Sequence, residues 1–117
     1  MIIYGIRNCD TCRKALKWLE EEGIEHRFHD FRKDGLAQEK VAGWLRTAGA
    51  DILVNRRGTT YRKLADDEKA ALDGPGAAAL LTAQPTLMKR PVFETASGLV
   101  IGFKDTEKAA LRKTTGG

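Results

Sequence analysis

Cys9-Asp10-Thr11-Cys12 lies between a short apolar run, Met1-Ile2-Ile3-Tyr4, and a helical pattern that begins with Arg13-Lys14-Ala15-Leu16-Lys17-Trp18-Leu19. A C-x-x-C pair at a strand-to-helix junction is placed for thiol chemistry. The first sulfur falls beside the unpaired N–H groups of a helix start, where the positive end of the helix dipole favours thiolate over thiol. The second sits one turn on, within reach of an internal disulfide. Cys9 is therefore the candidate nucleophile and Cys12 a candidate resolving thiol. Two incidental packed cysteines are the competing reading, but this junction is the context in which the motif has a mechanism. His26-Arg27-Phe28-His29 supplies two histidines and invites a zinc reading. Two intervening residues is short for such a ligand pair, and on a strand a separation of three turns the side chains to opposite faces. No metal site is read here, and both histidines are expected as ordinary strand residues at an edge or surface.

The elements that must hold these residues follow from periodicity and breakers. Residues 1–6 read as a strand, and 11–22 as a helix stopped by Gly23. Cys12, Leu16 and Leu19 share one face of that helix, so Cys12 is expected to be the more buried sulfur and Cys9 the exposed one. Residues 24–30 read as a second, parallel strand completing a β-α-β unit. Val41, Trp44, Leu45 and Ala48 give a helix over 36–48, and 66–72 and 77–83 read as two more, separated by Gly74-Pro75-Gly76 and closed by Pro85. Trp18 and Trp44 are packing residues on this reading. Residues 92–95 and 99–102 flank Ala96-Ser97-Gly98 as a hairpin. Asp105 offers an N-cap for a last helix through Leu111, and 114–117 are expected to fray. β-α-β, helices, then β-β-α is the α/β order of a thioredoxin-like fold with a helical insertion at about 36–84, within a single domain spanning 1–117.

The chain has 117 residues, 42% hydrophobic and 31% charged, which suits one core. No apolar stretch approaches the roughly 20 residues that cross a bilayer, and the start lacks the basic and long apolar regions of a signal peptide, so a cytosolic protein is expected. Two cysteines in a reducing compartment argue for chemistry over a structural staple. Net charge is +4, from 20 basic and 16 acidic residues, with clusters at Arg56-Arg57, Arg62-Lys63 and Lys89-Arg90. That surplus suits anionic ligands and falls short of a nucleic-acid signature.

Three segments carry a family resemblance: Asn8-Cys9-Asp10-Thr11-Cys12-Arg13-Lys14-Ala15, Arg57-Gly58-Thr59-Thr60-Tyr61-Arg62-Lys63-Leu64 and Lys89-Arg90-Pro91-Val92. Together, and in this order along nearly the whole chain, they resemble the arsenate reductase/Spx family, closest to its YffB branch. The resemblance implies that Cys9 is the nucleophilic cysteine, that Arg90 is a basic residue next to it, and that Pro91 is the cis-proline facing the cysteine loop. Arsenate reductases of this family surround the cysteine with three arginines. An ungapped reading puts Asn55 and Phe103 at two of those positions, with Arg56, Arg57 and Lys104 as adjacent substitutes. Cys12 is a second departure, since those enzymes generally have a hydroxyl residue there, whereas the Spx branch has C-x-x-C followed by Arg-Lys-Ala.

The resemblance implies a cytosolic thiol reductase that uses glutathione as co-substrate, with no bound cofactor. Cys9 attacks an oxidised substrate or disulfide as thiolate, and Cys12 or glutathione resolves the adduct. Arg90 stabilises the thiolate and a bound oxyanion or carboxylate, Arg13 and the helix start add positive field, and Arg56, Arg57 and Pro91 are expected to contact substrate. Glutathione, a small thiol or oxyanion, and a glutaredoxin are the implied partners, with no membrane and no direct nucleic acid. The other implied class is a redox-sensing regulator like Spx, which binds the RNA polymerase α subunit.

Overall fold

The computed structural model describes residues 1–115. Its elements run β1 (Ile2–Gly5), α1 (Asp10–Glu21), β2 (Arg27–Asp30), α2 (Gln38–Ala48), α3 (Ala50–Leu53), α4 (Thr59–Arg62), α5 (Asp66–Ala71), α6 (Ala77–Ala83), a 3-10 turn (Pro85–Leu87), β3 (Val92–Thr95), β4 (Gly98–Ile101) and α7 (Asp105–Thr115). The chain divides into two compact units, one formed by Met1–Gly35 with Arg90 onward, the other by Leu36–Lys89. Among the described residues no helix is long and apolar enough to cross a membrane.

The first unit is a four-stranded sheet in the order β2-β1-β3-β4. β1 and β2 are parallel and joined through α1, as the β-α-β reading requires, while β3 runs antiparallel to both β1 and β4. Alternation along β1 sends Ile3 to one face, opposite Phe28 and Phe93 in the flanking strands. There it joins Ala15, Leu19, Ile24, Phe93 and Leu111 in a closed core, bordered by Trp18 and Phe103. On α1 the fully buried positions are Cys12, Ala15 and Leu19, and Leu16 lies at the rim of that face.

Local chemistry explains where the elements depart from their expected bounds. β2 begins at Arg27, later than Ile24, because the preceding residues finish α1: Gly23 takes φ +67° and the N–H groups of Gly23 and Ile24 return to the carbonyls of Glu20 and Leu19. Asp105 is the first residue of α7 rather than its cap. Glu107 performs the capping, its Oε1 accepting the Lys104 N–H at 2.8 Å. The helix continues past Leu111 to Thr115, and of the segment expected to fray, Gly116 and Gly117 lie outside the described residues.

The second unit, Leu36–Lys89, holds α2 to α6 and the 3-10 turn. α2 packs on α6 with Val41, Trp44 and Leu81 buried. Two short helices, α3 and α4, and the 3-10 turn occupy stretches with no periodic signal. Between them Val54 pairs with Met88 in an isolated antiparallel bridge, flanked by Asn55 N–H to Leu87 O at 2.7 Å and Lys89 N–H to Leu53 O at 2.8 Å.

Candidate active site

The path from β1 into α1 is fixed by hydrogen bonds. The Cys9 N–H returns to Ile6 O at 3.1 Å, closing a tight turn over Arg7-Asn8, and the Cys9 carbonyl accepts the Arg13 N–H at 3.0 Å as the first bond of α1. Cys9 is thus the N-cap, with extended backbone (φ −98°, ψ 121°) and no capping bond from its own side chain. Its sulfur stands where the helix presents unsatisfied N–H groups and positive dipole.

A buried carboxylate anchors the turn from the other side. Asp30 ends β2 with 6% exposure. Its Oδ2 accepts the Arg7 N–H at 3.3 Å, and its Oδ1 accepts those of Arg32 at 2.8 Å and Lys33 at 3.2 Å. Burial works against the charge, but these three donors and the Arg7 cation outweigh it and hold the carboxyl below the usual carboxylate range. Arg13 Nε donates to Arg7 O at 3.0 Å. The residue two before Cys9 is therefore gripped through both its N–H and its carbonyl.

Cys9 is half-buried and Cys12 fully buried, and both are free thiols. Partial burial disfavours a Cys9 thiolate, yet the Cys12 backbone N–H, the Arg90 guanidinium and the Cys12 thiol all favour it, and the Arg90 charge adds to them. The outcome is a Cys9 acidity shifted toward thiolate. Cys12 goes the other way. Its thiol is pushed up to about 12, chiefly by burial, with the Ile6 backbone N–H opposing the rise and the negative Cys9 adding to it. Arg90 reaches Cys9 from the chain leading into β3, across a cis Arg90–Pro91 bond, and Pro91 is buried with its carbonyl accepting the Gly102 N–H at 2.9 Å.

The structure thus gathers Cys9, Cys12, Arg90 and Pro91 in one unit. Arg13 is 61% exposed and faces Arg7 O and Asp10, 3.8 Å away. It adds charge to the helix start without bonding the sulfur. Arg56 and Arg57 belong to the second unit. The Arg56 guanidinium there bridges Asp73 at 3.0 Å and Asp51 at 3.2 Å, donates to Tyr61 Oη at 3.4 Å, and is held strongly protonated chiefly by Asp73. Arg57 is exposed. Asn55 pairs with the 3-10 turn of its own unit. Phe103 lies edge-on to Trp18 at 5.5 Å and 6.3 Å from Phe93, and its neighbour Lys104 is exposed.

Two contributors escaped sequence reasoning. Gly5, the last residue of β1, faces Cys12 so closely that a Cβ there would lie 2.5 Å from Cys12 Sγ. A glycine inside a strand is the available signal, since it often marks close approach. Asp30 falls at the end of the strand read over 24–30, where a carboxylate carries no signal of the N–H groups it meets. His26 Nδ1 lies 2.8 Å from Ile24 O and His29 Nε2 lies 2.7 Å from Gly35 O. Among the described residues no group of three or more His, Cys, Asp or Glu side chains is placed to hold a metal.

Comparison with known proteins gives a consistent relationship. The model of the ArsC family matches residues 4–111. A solved structure named YFFB superposes with TM-score 0.84 at 41% identity, covering 93% of this chain and 96% of that one. An arsenate reductase (ArsC) related protein from Brucella melitensis superposes with TM-score 0.76 at 46% identity, covering 96% and 93%. The global transcriptional regulator Spx of Listeria innocua is 28% identical over 107 residues, 90% of this chain and 81% of its own.

Proposed function

Because the chain belongs to the ArsC family and has its arsenate-reductase-like α/β fold, we propose that it is a cytosolic thiol reductase in which Cys9 is the nucleophile and glutathione the co-substrate. The observation that carries this reading is the Cys9 sulfur itself, set at a helix start with the Cys12 N–H, the Cys12 thiol and the Arg90 guanidinium all favouring its thiolate. A nucleophile poised this way attacks a disulfide or an oxidised substrate without a separate base. Arg90 also serves to bind the oxyanion or carboxylate of the substrate, with Arg13 adding field. Pro91 supplies backbone for an extended peptide such as glutathione. In the second unit Arg57 is exposed, while Arg56 shares its charge with Asp51 and Asp73.

Arsenate is expected to be a poor substrate. Oxyanion binding favours several arginine forks, and the positions read as the other two arginines hold Asn55 and Phe103, the latter among aromatic rings. The test combines a glutathione titration followed by amide NMR shifts with turnover of a glutathionyl mixed disulfide. Shifts centred on 9–13 and 90–92, with turnover abolished by Cys9→Ser, support the reading. Absence of both removes it.

The Spx relationship and the shared C-x-x-C support a second reading, a redox-responsive regulator that docks on the RNA polymerase α subunit. Stoichiometric, redox-dependent binding without turnover favours it. A glutaredoxin that recycles the Cys9 adduct belongs to the first reading.

A further inference from the structure

Thr59, Thr60, Lys63 and Leu64 belong to the middle motif segment, and the thiol chemistry uses none of them. Within the second unit these four line a cleft of about 320 Å³, completed by Glu68 and Gln84. A cleft of that volume suits a small molecule. Thr59 with Lys63, and Thr60 with Leu64, are i,i+4 pairs, so the single turn of α4 brings all four to neighbouring positions. Thr60 Oγ1 lies 3.1 Å from Thr86 Oγ1, which ties α4 to the 3-10 turn. Leu64 is only 8% exposed and supplies an apolar wall. Glu68 Oε1 accepts the Ala65 N–H at 3.0 Å at the start of α5, so its carboxylate is held in place with Oε2 left over. Lys63 and Glu68 thus bring opposite charges to one cleft without pairing to each other. Among the described residues no hydrogen bond or ion pair engages the Lys63 ammonium, the Thr59 hydroxyl or the Gln84 side-chain amide.

We propose that this cleft binds a zwitterionic α-amino acid, its carboxylate accepting from the Lys63 ammonium and the Thr59 hydroxyl, and its ammonium donating to Glu68 Oε2 and the Gln84 carbonyl oxygen. An ammonium and a carboxylate that share a cleft without pairing are complementary to a molecule that carries the same two charges in the opposite sense. An anion alone leaves Glu68 unmatched and repelling it, and a cation alone does the same at Lys63. The zwitterion gains a charge-assisted hydrogen bond at each end, and such bonds are the strong ones. Leu64 then offers apolar surface to the ligand's side chain, and the cleft has room for one beyond the ammonium and carboxylate. The ligand is held without reaction, and the site stands independently of the reading of Cys9.

Amide NMR titration of the full chain tests this, with L-alanine, L-glutamine, propionate and ethylamine as separate probes. Either amino acid should give saturable shifts centred on 59–64, 68 and 84. Propionate and ethylamine each keep one of the two charges of alanine and should bind about tenfold more weakly or less. Lys63→Met and Glu68→Gln should each weaken alanine binding by about tenfold or more, and glutamine at 68 keeps an oxygen for the Ala65 N–H. No saturable shift with either amino acid up to about 10 mM, tenfold above a dissociation constant of about 1 mM, overturns the inference. Propionate binding as tightly as alanine overturns it too, since the cleft is then a plain anion site. Alanine affinity unchanged in both variants places the binding elsewhere and has the same consequence. The four probes are compared on wild type, so the outcome stands even where a variant fails to fold.

Discussion

Gly5 and Cys12 share one volume: the position a Gly5 Cβ would occupy is 2.5 Å from Cys12 Sγ. Real Cβ atoms do not approach sulfur that closely, so the strand's missing side chain is what lets the helix bring its second cysteine flat against β1. Gly5→Ala is therefore expected to displace Cys12 or the strand end. Overpacking of this kind costs about 1–3 kcal/mol. Urea unfolding reads the loss, and Gly5→Ala with Cys12→Ala should recover much of it, since the smaller side chain vacates the contested space. A double variant no more stable than Gly5→Ala alone would show that the two residues are not in conflict.

Arg90 is the cation that favours the Cys9 thiolate. The sign is that of a lowered thiol: alkylation rises through a midpoint below about 8.5 and is flat above it. Arg90→Ala should move that midpoint upward, since the guanidinium is one of the groups that lower it. Arg90→Lys should fall between, keeping the charge and losing the planar fork. An unmoved midpoint in Arg90→Ala would leave the helix start and Cys12 as the whole cause.

Asp30 ties the loop before Cys9 to the end of β2. Its carboxyl is lowered on folding, so its contribution is present above the unfolded value, about 3.9, and is lost as pH falls through the lower folded value. Asn at this site turns an amide donor toward N–H groups that need acceptors. Asp30→Asn should lose about 1–3 kcal/mol at pH 7, and the gap to wild type should narrow at acid pH, as the native carboxyl protonates. Denaturant unfolding at both pH values checks this, and a gap independent of pH would mean the charge is not what holds the loop.

Substrate preference follows from the arginines. Two missing charge-assisted contacts, at about 1.5–3 kcal/mol each, sum crudely to roughly 3–6 kcal/mol, or about 100-fold to 10,000-fold in affinity for arsenate. Glutathione depends less on them, because its sulfur pairs with Cys9. Purified protein should therefore turn over a glutathionyl disulfide and reduce arsenate weakly or not at all. Arsenate reduction at an ordinary enzymatic rate, of order 1 to 1000 per second, would show that Arg56, Arg57 or Lys104 fills the gap.

The thiol pair, the hairpin and the split of β-α-β from β-β-α were legible because each is written in local chemistry: a breaker, a period, a two-residue spacing. The burial difference between Cys9 and Cys12 was legible too, since helical phase alone orders them, although Cys9 proved half-buried and not exposed. The Asp30 contacts pair N–H groups on either side of α1, and such long-range accounting leaves no periodic trace. α3 and α4 are single turns, too short for a repeat to register. The reach of Arg56 to Asp73 spans 17 residues, a separation at which sequence shows two charges and not their meeting.

Cys9 and Arg90 enter the ribosome's exit path far apart in time. β1 pairs on one side with β2, made soon after it, but on the other with β3, which follows Leu36–Lys89. A nascent chain carrying only residues 1–35 holds both cysteines and the helix start, yet has no guanidinium for the sulfur and no Phe93 to close the core. Its Cys9 should behave nearer to an ordinary thiol, less open to oxidants at neutral pH. Reactivity in this protein is acquired late in synthesis, with the arrival of β3, so the half-made chain is shielded from the chemistry of the finished one.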